Sequence, residues 1–213
     1  ELRRQRMIAS PFAFYRGSAA IMAADLAGEP TTGLDVVACG DAHISNFGFF
    51  ASPQRTMVFD LNDFDEAASG PWEWDLKRLV TSVVIGARDG GYTEQQARRA
   101  ALAAASGYRN WLAELMKLTV IERYYRVLDA ERIRQSIASP ARAVLERVTR
   151  KARKRTSEQV VARMTTVGSD GSRTFVDDPV LTRIPVDDRV ELARLFEQYR
   201  STVAPDIALV LAQ

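Results

Sequence analysis

The stretch from Val37 to Asp75 most constrains what this chain can fold into, because short apolar runs there end repeatedly in polar, mostly acidic residues. It reads VACGDAHISNFGFF, then a turn SPQR, then MVFDLNDFDEA and GPWEWDL. Valines, phenylalanines and flanking turn residues predict three strands over Asp35–Cys39, Phe47–Ala51 and Thr56–Phe59. A packed core has no need of carboxylates at the ends of its strands, whereas a site that holds metal and phosphate does.

The two later strands predict a hairpin across the turn at 52–55. Such a hairpin places Asn46, at its entrance, near Asp60, at its exit, and Asp41 precedes it in the loop. We therefore expect the three side chains to converge at one end of a small sheet. A carboxylate at Asp41 can accept a proton from a hydroxyl group, and Asn46 and Asp60 supply the oxygen ligands that magnesium prefers.

The loop GDAHISN resembles the catalytic loop of the aminoglycoside phosphotransferase and choline kinase branch of the protein-kinase-like superfamily. The segment VFDLNDFDEA resembles the metal-binding segment of that branch, and PWEWDL resembles the start of its supporting helix. The resemblance implies that Asp41 is the catalytic base, that Asn46 and Asp60 bind Mg²⁺, and that Asp75 braces the loop. It also implies ATP as the nucleotide and a small molecule as the second substrate.

Together with the upstream SPFAFYRG, the same stretch resembles the bacterial DUF2252 family over most of the chain. Two features depart from the kinase-like pattern. Cys39 stands where the phosphotransferases have their first histidine, and the chain lacks a glycine-rich loop followed by a strand lysine. About forty residues precede Asp41, too few for a nucleotide-binding lobe. We therefore expect a fragment of a longer protein, with that lobe after Gln213 in a circularly permuted order.

Other residues have a functional and a structural interpretation. Asp63 or Asp65 could be a second metal ligand, or could cap a helix or face water. His43, the only histidine, could support the phosphate from within the catalytic loop or simply pack there. Arg16 could bind phosphate of the nucleotide, because arginine suits bidentate phosphate contacts, or could be a surface or bracing arginine.

The remaining sequence predicts a predominantly helical α+β protein, with a kinase-like C-terminal lobe and a small β-hairpin sheet that carries the catalytic loop. We expect one domain over 1–213, with an N-terminal helix in 1–34, the loop, metal hairpin and brace helix in 35–91, and a helical body with one hairpin in 92–213. Periodicity and capping residues predict the main elements of this domain: helices over Met7–Ala27 and Glu73–Asp89, a long helix after a capping box at Thr93, helices over Glu122–Leu128, Ala130–Ile137 and Pro140–Arg155, a hairpin turn at Gly168–Gly171, and a C-terminal helix over Val186–Gln213 interrupted near Pro205.

Composition narrows the range of partners. The 29 basic and 27 acidic residues nearly cancel, so bulk charge does not indicate a polyanionic partner. The one basic run, at 147–155, has no interleaved aromatic residues, and we interpret it as a solvated helix end rather than a nucleic-acid site. One cysteine excludes an internal disulfide, and no membrane span or signal peptide is visible, so we predict a cytoplasmic protein without a membrane partner.

Three classes of function remain. The first is a magnesium- and ATP-dependent phosphotransferase acting on a small-molecule hydroxyl or amine. The second is a metal-dependent phosphoesterase that uses Asp41, His43, Asp60 and Asp63 around two metal ions. The third is a non-catalytic module of the same fold that binds a nucleotide or another partner. The spacing of Asp41, Asn46 and Asp60 favours the first, since asparagine adds little to a hydrolytic cluster, whereas the missing lobe favours the third.

Overall fold

A computed structural model describes residues 2–52, 54–137, 139–153, 157–176 and 188–212. The chain divides into two compact units, Glu1–Arg155 and Thr156–Gln213. The fold is α+β and mostly helical, with small antiparallel two-stranded sheets, as the sequence predicts. No helix within the described residues is long and apolar enough to cross a membrane.

The first unit begins with three short helices, α1 (Leu2–Met7), α2 (Pro11–Arg16) and α3 (Ala19–Leu26). The single helix predicted over Met7–Ala27 is therefore wrong. Ser10 caps α2, because its hydroxyl accepts the N–H of Ala13 at 3.1 Å. The helix breaks at Gly17 and Ser18, where the Ser18 hydroxyl donates to the Tyr15 carbonyl at 2.8 Å and competes with the helical pattern.

Four strands lie between Asp35 and Pro71: β1 (Asp35–Ala38), β2 (Phe47–Ala51), β3 (Met57–Leu61) and β4 (Ala68–Pro71). The strands β2 and β3 form the predicted hairpin, and β1 pairs antiparallel with β4. The strand β4 was not expected, because its sequence Ala-Ser-Gly-Pro has little strand propensity.

The hairpin extends further along the chain than the sequence indicates. Gly48 lies opposite Asp60, and Phe47 lies opposite Leu61. The hydrogen-bond ladder continues beyond them, because the N–H of Asn62 donates to the carbonyl of Asn46 at 2.8 Å. The residue paired with Asn46 is therefore Asn62 rather than Asp60.

Two long helices support this region. The helix α4 (Trp72–Asp89) starts directly after β4 and ends at Gly90, close to its predicted bounds. The helix α5 (Glu94–Leu115) packs against α4. Its capping box is confirmed, because Thr93 accepts the N–H of Gln96 and the Gln96 side chain accepts the N–H of Thr93.

Shorter helices complete the first unit: α6 (Val120–Tyr124), α7 (Ala130–Ser136) and α8 (Ser139–Arg153). The described part of the basic run lies on α8, and Lys154 and Arg155 fall outside the described residues. The second unit contains α9 (Ser157–Met164), the hairpin strands β5 (Thr165–Val167) and β6 (Arg173–Phe175), and the helices α10 (Asp188–Thr202) and α11 (Pro205–Leu211). The predicted hairpin and the predicted break before Pro205 are both confirmed, whereas 186–187 and Gln213 lie outside the described residues.

Candidate functional site

The start of the loop between β1 and β2 is held by one carboxylate of α4. Asp75 accepts the backbone N–H of Cys39 at 2.7 Å and that of Gly40 at 3.0 Å, one on each oxygen. This is the contact that a bracing aspartate makes. Gly40 has φ +82°, and a Cβ there would lie 2.1 Å from the Glu66 carbonyl oxygen, so only glycine fits.

The next contact is an ion pair between Asp41 and Arg78 of α4. The Nε of Arg78 donates to Oδ1 of Asp41 at 2.7 Å, and its Nη2 lies 2.6 Å from the same oxygen. Arg78 is only 2% exposed, whereas the Asp41 side chain is 19% exposed. The carboxylate therefore has one oxygen bound to a buried cation and a second oxygen free of that pairing.

A third contact from α4 holds the middle of the loop. The N–H of Ile44 donates to the hydroxyl of Ser82 at 3.0 Å, and that hydroxyl donates to the carbonyl of Leu79 at 2.6 Å. Asp75, Arg78 and Ser82 are spaced three and four residues apart, so they lie along one face of the helix. One face of α4 thus fixes the loop at three successive points.

Asn46 ends this loop and is 6% exposed. Its Nδ2 donates to the carbonyl of Asp41 at 3.1 Å and to the carbonyl of Asp63 at 3.1 Å. Both amide hydrogens are used in this way, which leaves the side-chain oxygen as the atom that can bind a cation. The same contacts tie the loop to the segment that follows β3.

His43 lies beside the Asp41 carboxylate, with Nε2 3.5 Å from Oδ2, and is 5% exposed. Burial lowers the pKa of His43 below its usual value; Asp41 opposes this shift, and the positive charges of Arg16 and Arg78 add to it. The ring also meets Phe12 edge-on, with centroids 6.4 Å apart. The imidazole is therefore a buried, mainly neutral group at neutral pH, which suits a supporting role better than that of a charged ligand.

An open cavity of about 670 Å³ lies over this loop. We call it the loop cavity, and its polar lining includes Arg6, Arg16, Asp41, His43, Asn46 and Asp63. The structure thus brings together five of the residues singled out from the sequence, and Arg6 joins them. Arginines and carboxylates in one lining suit a phosphate bound through a divalent cation.

Asp60, which the sequence predicts as a magnesium ligand, does not line the loop cavity. Its Oδ1 accepts the N–H of the following Leu61 at 2.8 Å, and the residue is exposed. Asp63, three residues later, takes a place in the lining. Within the part of the chain that the structure describes, no group of three or more His, Cys, Asp or Glu side chains is placed to hold a metal ion.

Trp72 packs at the start of α4. Its ring stacks on Tyr108 of α5 with centroids 5.9 Å apart and planes within 6°, and its Nε1 donates to Thr32 at 2.9 Å. Trp72 thereby joins the two long helices and the chain before β1. It does not line the loop cavity.

Sequence reasoning missed Arg78 and Ser82. Both are polar residues on the face of α4 that packs inward, where the neighbouring Leu79 and Val83 continue the apolar pattern. Their spacing from Asp75 was the signal that could have identified them, since a buried arginine needs a partner and the loop carboxylate is the nearest acidic candidate.

The fold and the loop define an α+β protein with a polar cavity built on an anchored loop. A family described as an uncharacterized protein conserved in bacteria (DUF2252) matches residues 1–213. The chain belongs to the DUF2252 family. No curated protein and no solved structure gives a significant match.

Proposed function

We propose that this chain carries the catalytic loop of a magnesium- and ATP-dependent phosphotransferase that acts on a small-molecule hydroxyl or amine. Its fold would then correspond to the C-terminal lobe of the kinase-like proteins. The observation that supports this most is the convergence of Asp41, Asn46 and Asp63 on the loop cavity, with the loop anchored on α4. Phosphoryl transfer depends mainly on positioning and on neutralising charge, and an anchored loop provides the first.

Asp41 would act as the base. The acceptor oxygen or nitrogen attacks the γ-phosphorus, its proton passes to Oδ2 of Asp41, and ADP leaves with the electron pair of the broken P–O bond. The other oxygen, Oδ1, is bound to Arg78 and is not needed for this step. General-base catalysis of this kind contributes about 10²–10⁴ in rate.

Asn46 and Asp63 are the residues that would hold magnesium. Their oxygens are hard ligands, and both residues line the loop cavity. Magnesium, when bound, neutralises charge on the transferring phosphoryl group. The role of Asp60 as a further magnesium ligand stays a prediction, because Asp60 lies on the same segment but does not line the loop cavity.

Arg16 and His43 would complete the surroundings of the phosphates. Arg16 is exposed at the end of α2, lines the loop cavity, and lies near enough to His43 for its charge to lower the pKa of that imidazole. It can therefore swing towards an anionic ligand. Of the three function classes, the phosphotransferase requires the fewest metal ligands from the protein, since nucleotide phosphates and waters supply the other oxygens around magnesium.

The experiment compares nucleotide turnover by the natural protein that contains this chain with that of two variants. ADP formation from ATP and magnesium is measured against a panel of small alcohols and amines. We expect Asp41→Asn to keep the circular dichroism spectrum and to lose about two to four orders of magnitude in turnover. Asp35→Asn, which changes an exposed carboxylate of β1 outside the loop cavity, is the control and retains turnover.

Two results would contradict the proposal. One is magnesium-dependent turnover that persists in Asp41→Asn at the level of the control. The other is the absence of ADP formation above background across the panel with the unmodified protein.

A further inference from the structure

Arg78 uses its guanidinium in an unusual way for a helix arginine. Two of its nitrogens, Nε and Nη2, both approach a single oxygen of Asp41, at 2.7 and 2.6 Å. A side-by-side pairing would instead occupy both oxygens of the Asp41 carboxylate. Here Oδ1 takes both contacts, and Oδ2 is left beside His43, on a residue that lines the loop cavity.

The guanidinium is itself fixed from the other side by α2. Its Nη2 donates to the carbonyl of Tyr15 at 2.8 Å, and its Cζ lies 4.3 Å from the centre of the Tyr15 ring. The Tyr15 hydroxyl in turn donates to the backbone carbonyl of Arg78 at 3.1 Å. Arg78 is thus held by hydrogen bonds and by stacking on an aromatic face, and it cannot follow Asp41 if that side chain rotates.

We propose that Arg78 is a positioning residue, which fixes Oδ1 of Asp41 so that Oδ2 alone is presented to the acceptor. This inference rests on the proposed function. Asp41 can rotate about two side-chain bonds, and Arg78 removes that freedom before substrate binds. A displacement of a catalytic group by about 1 Å costs about a hundredfold in rate, so the effect of losing this restraint is measurable.

A purely structural role for Arg78 makes different predictions. In that case Arg78 would stabilise the packing of α2 on α4, and its removal would lower stability without moving Asp41. The two roles are therefore distinguished by the position of the Asp41 carboxylate and by whether the effect of Arg78 on kcat requires Asp41.

The test uses the natural protein that contains this chain, with Arg78→Met, Arg78→Lys, Asp41→Asn and the Arg78→Met/Asp41→Asn pair. Arg78→Met keeps an unbranched apolar stem and removes all donors, whereas Arg78→Lys keeps the charge but not the fork. Crystal structures show where the Asp41 carboxylate lies in each variant. Turnover of ATP gives kcat, and calorimetry gives the Kd for ATP in the presence of magnesium.

We expect the Asp41 carboxylate to leave its wild-type position in Arg78→Met. We also expect kcat to fall about a hundredfold while the Kd for ATP and magnesium changes no more than about twofold. Arg78→Lys should show the same displacement with a smaller loss, and it decides the question if the methionine variant does not fold. In the Asp41→Asn background, adding Arg78→Met should change kcat by no more than about twofold, because the group that Arg78 positions is already gone.

The inference is overturned if the carboxylate keeps its wild-type position without Arg78, or if Arg78→Met lowers kcat equally with and without Asp41. Failure of the proposed function is a separate result. In that case the unmodified protein forms no ADP, and the crystal structures alone still decide whether Arg78 positions Asp41.

Discussion

Replacing Asp75 with alanine should weaken the anchor of the loop at its first residues. In the structure, the two carboxylate oxygens accept one backbone N–H each, from Cys39 at 2.7 Å and from Gly40 at 3.0 Å. Cys39 is 5% exposed, so its N–H cannot readily exchange the lost acceptor for water. Alanine therefore leaves one buried donor unpaired and a second partly so.

The magnitude follows from the two hydrogen bonds. A hydrogen bond to a charged group contributes about 1.5–3 kcal/mol net, and the lower end applies because Asp75 is only half-buried. Two such bonds give about 3 kcal/mol less free energy of unfolding for Asp75→Ala. For a chain of this size, that loss lowers Tm by roughly 6–12 °C. Asp75→Asn retains one acceptor oxygen and should lose about half as much.

The assay has two parts. Thermal unfolding followed by circular dichroism gives the order wild type, Asp75→Asn, Asp75→Ala from most to least stable. Amide hydrogen exchange should show faster exchange at Cys39 and Gly40 in the alanine variant, with little change in α5. The bracing role is refuted if the free energy of unfolding of Asp75→Ala lies within about 0.5 kcal/mol of the wild-type value, or if hydrogen exchange at those two amides is unchanged.

Two other substitutions test the local structure. Gly40→Ala should destabilise the protein by more than about 2 kcal/mol, because φ is +82° and the added Cβ would meet the Glu66 carbonyl at 2.1 Å. Gly33→Ala, at φ +76° with nothing within 4 Å of the added Cβ, is the matched control and should lower the free energy of unfolding by about 1 kcal/mol. Equal losses of stability in the two denaturation curves would contradict the clash at Gly40. Thr93→Ala should cost about 1 kcal/mol by breaking the capping box with Gln96, and Thr93→Ser should restore most of it in the same measurement.

Local signals in the sequence identified much of the frame of this site. Phe47–Ala51 alternates little but is aromatic and bounded by turn residues, so its strand was predictable. The capping box of α5 was likewise readable, because a capping box depends on residues within one helical turn. The break at Gly17 was missed, since the apolar periodicity of Phe12 and Met22 continues through it as if the helix did too.

Contacts between distant parts of the chain were not predictable in the same way. The spacing from Asp75 places Arg78 on the inward face of α4, but the local sequence does not show which carboxylate pairs with it, and Asp41 lies 37 residues earlier. The strand β4 forms because β1 offers a partner across 30 residues of sequence, not because Ala68–Pro71 favours it. Asp60 and Asp63 have the same residue type, so the sequence does not distinguish them. Only the length of the hairpin decides which of them reaches the loop cavity.

Calorimetric titration of magnesium in the presence of ATP tests whether the loop cavity holds the magnesium of a phosphotransferase. The natural protein that contains this chain is compared with Asp63→Ala and with Asp60→Ala. We expect Asp63→Ala to abolish magnesium binding at concentrations that saturate wild type, because Asp63 lines the cavity beside Asn46. The Asp60→Ala variant should bind magnesium more tightly than the Asp63→Ala variant. Magnesium binding by Asp63→Ala equal to that of the unmodified protein would show that the loop cavity does not hold the magnesium.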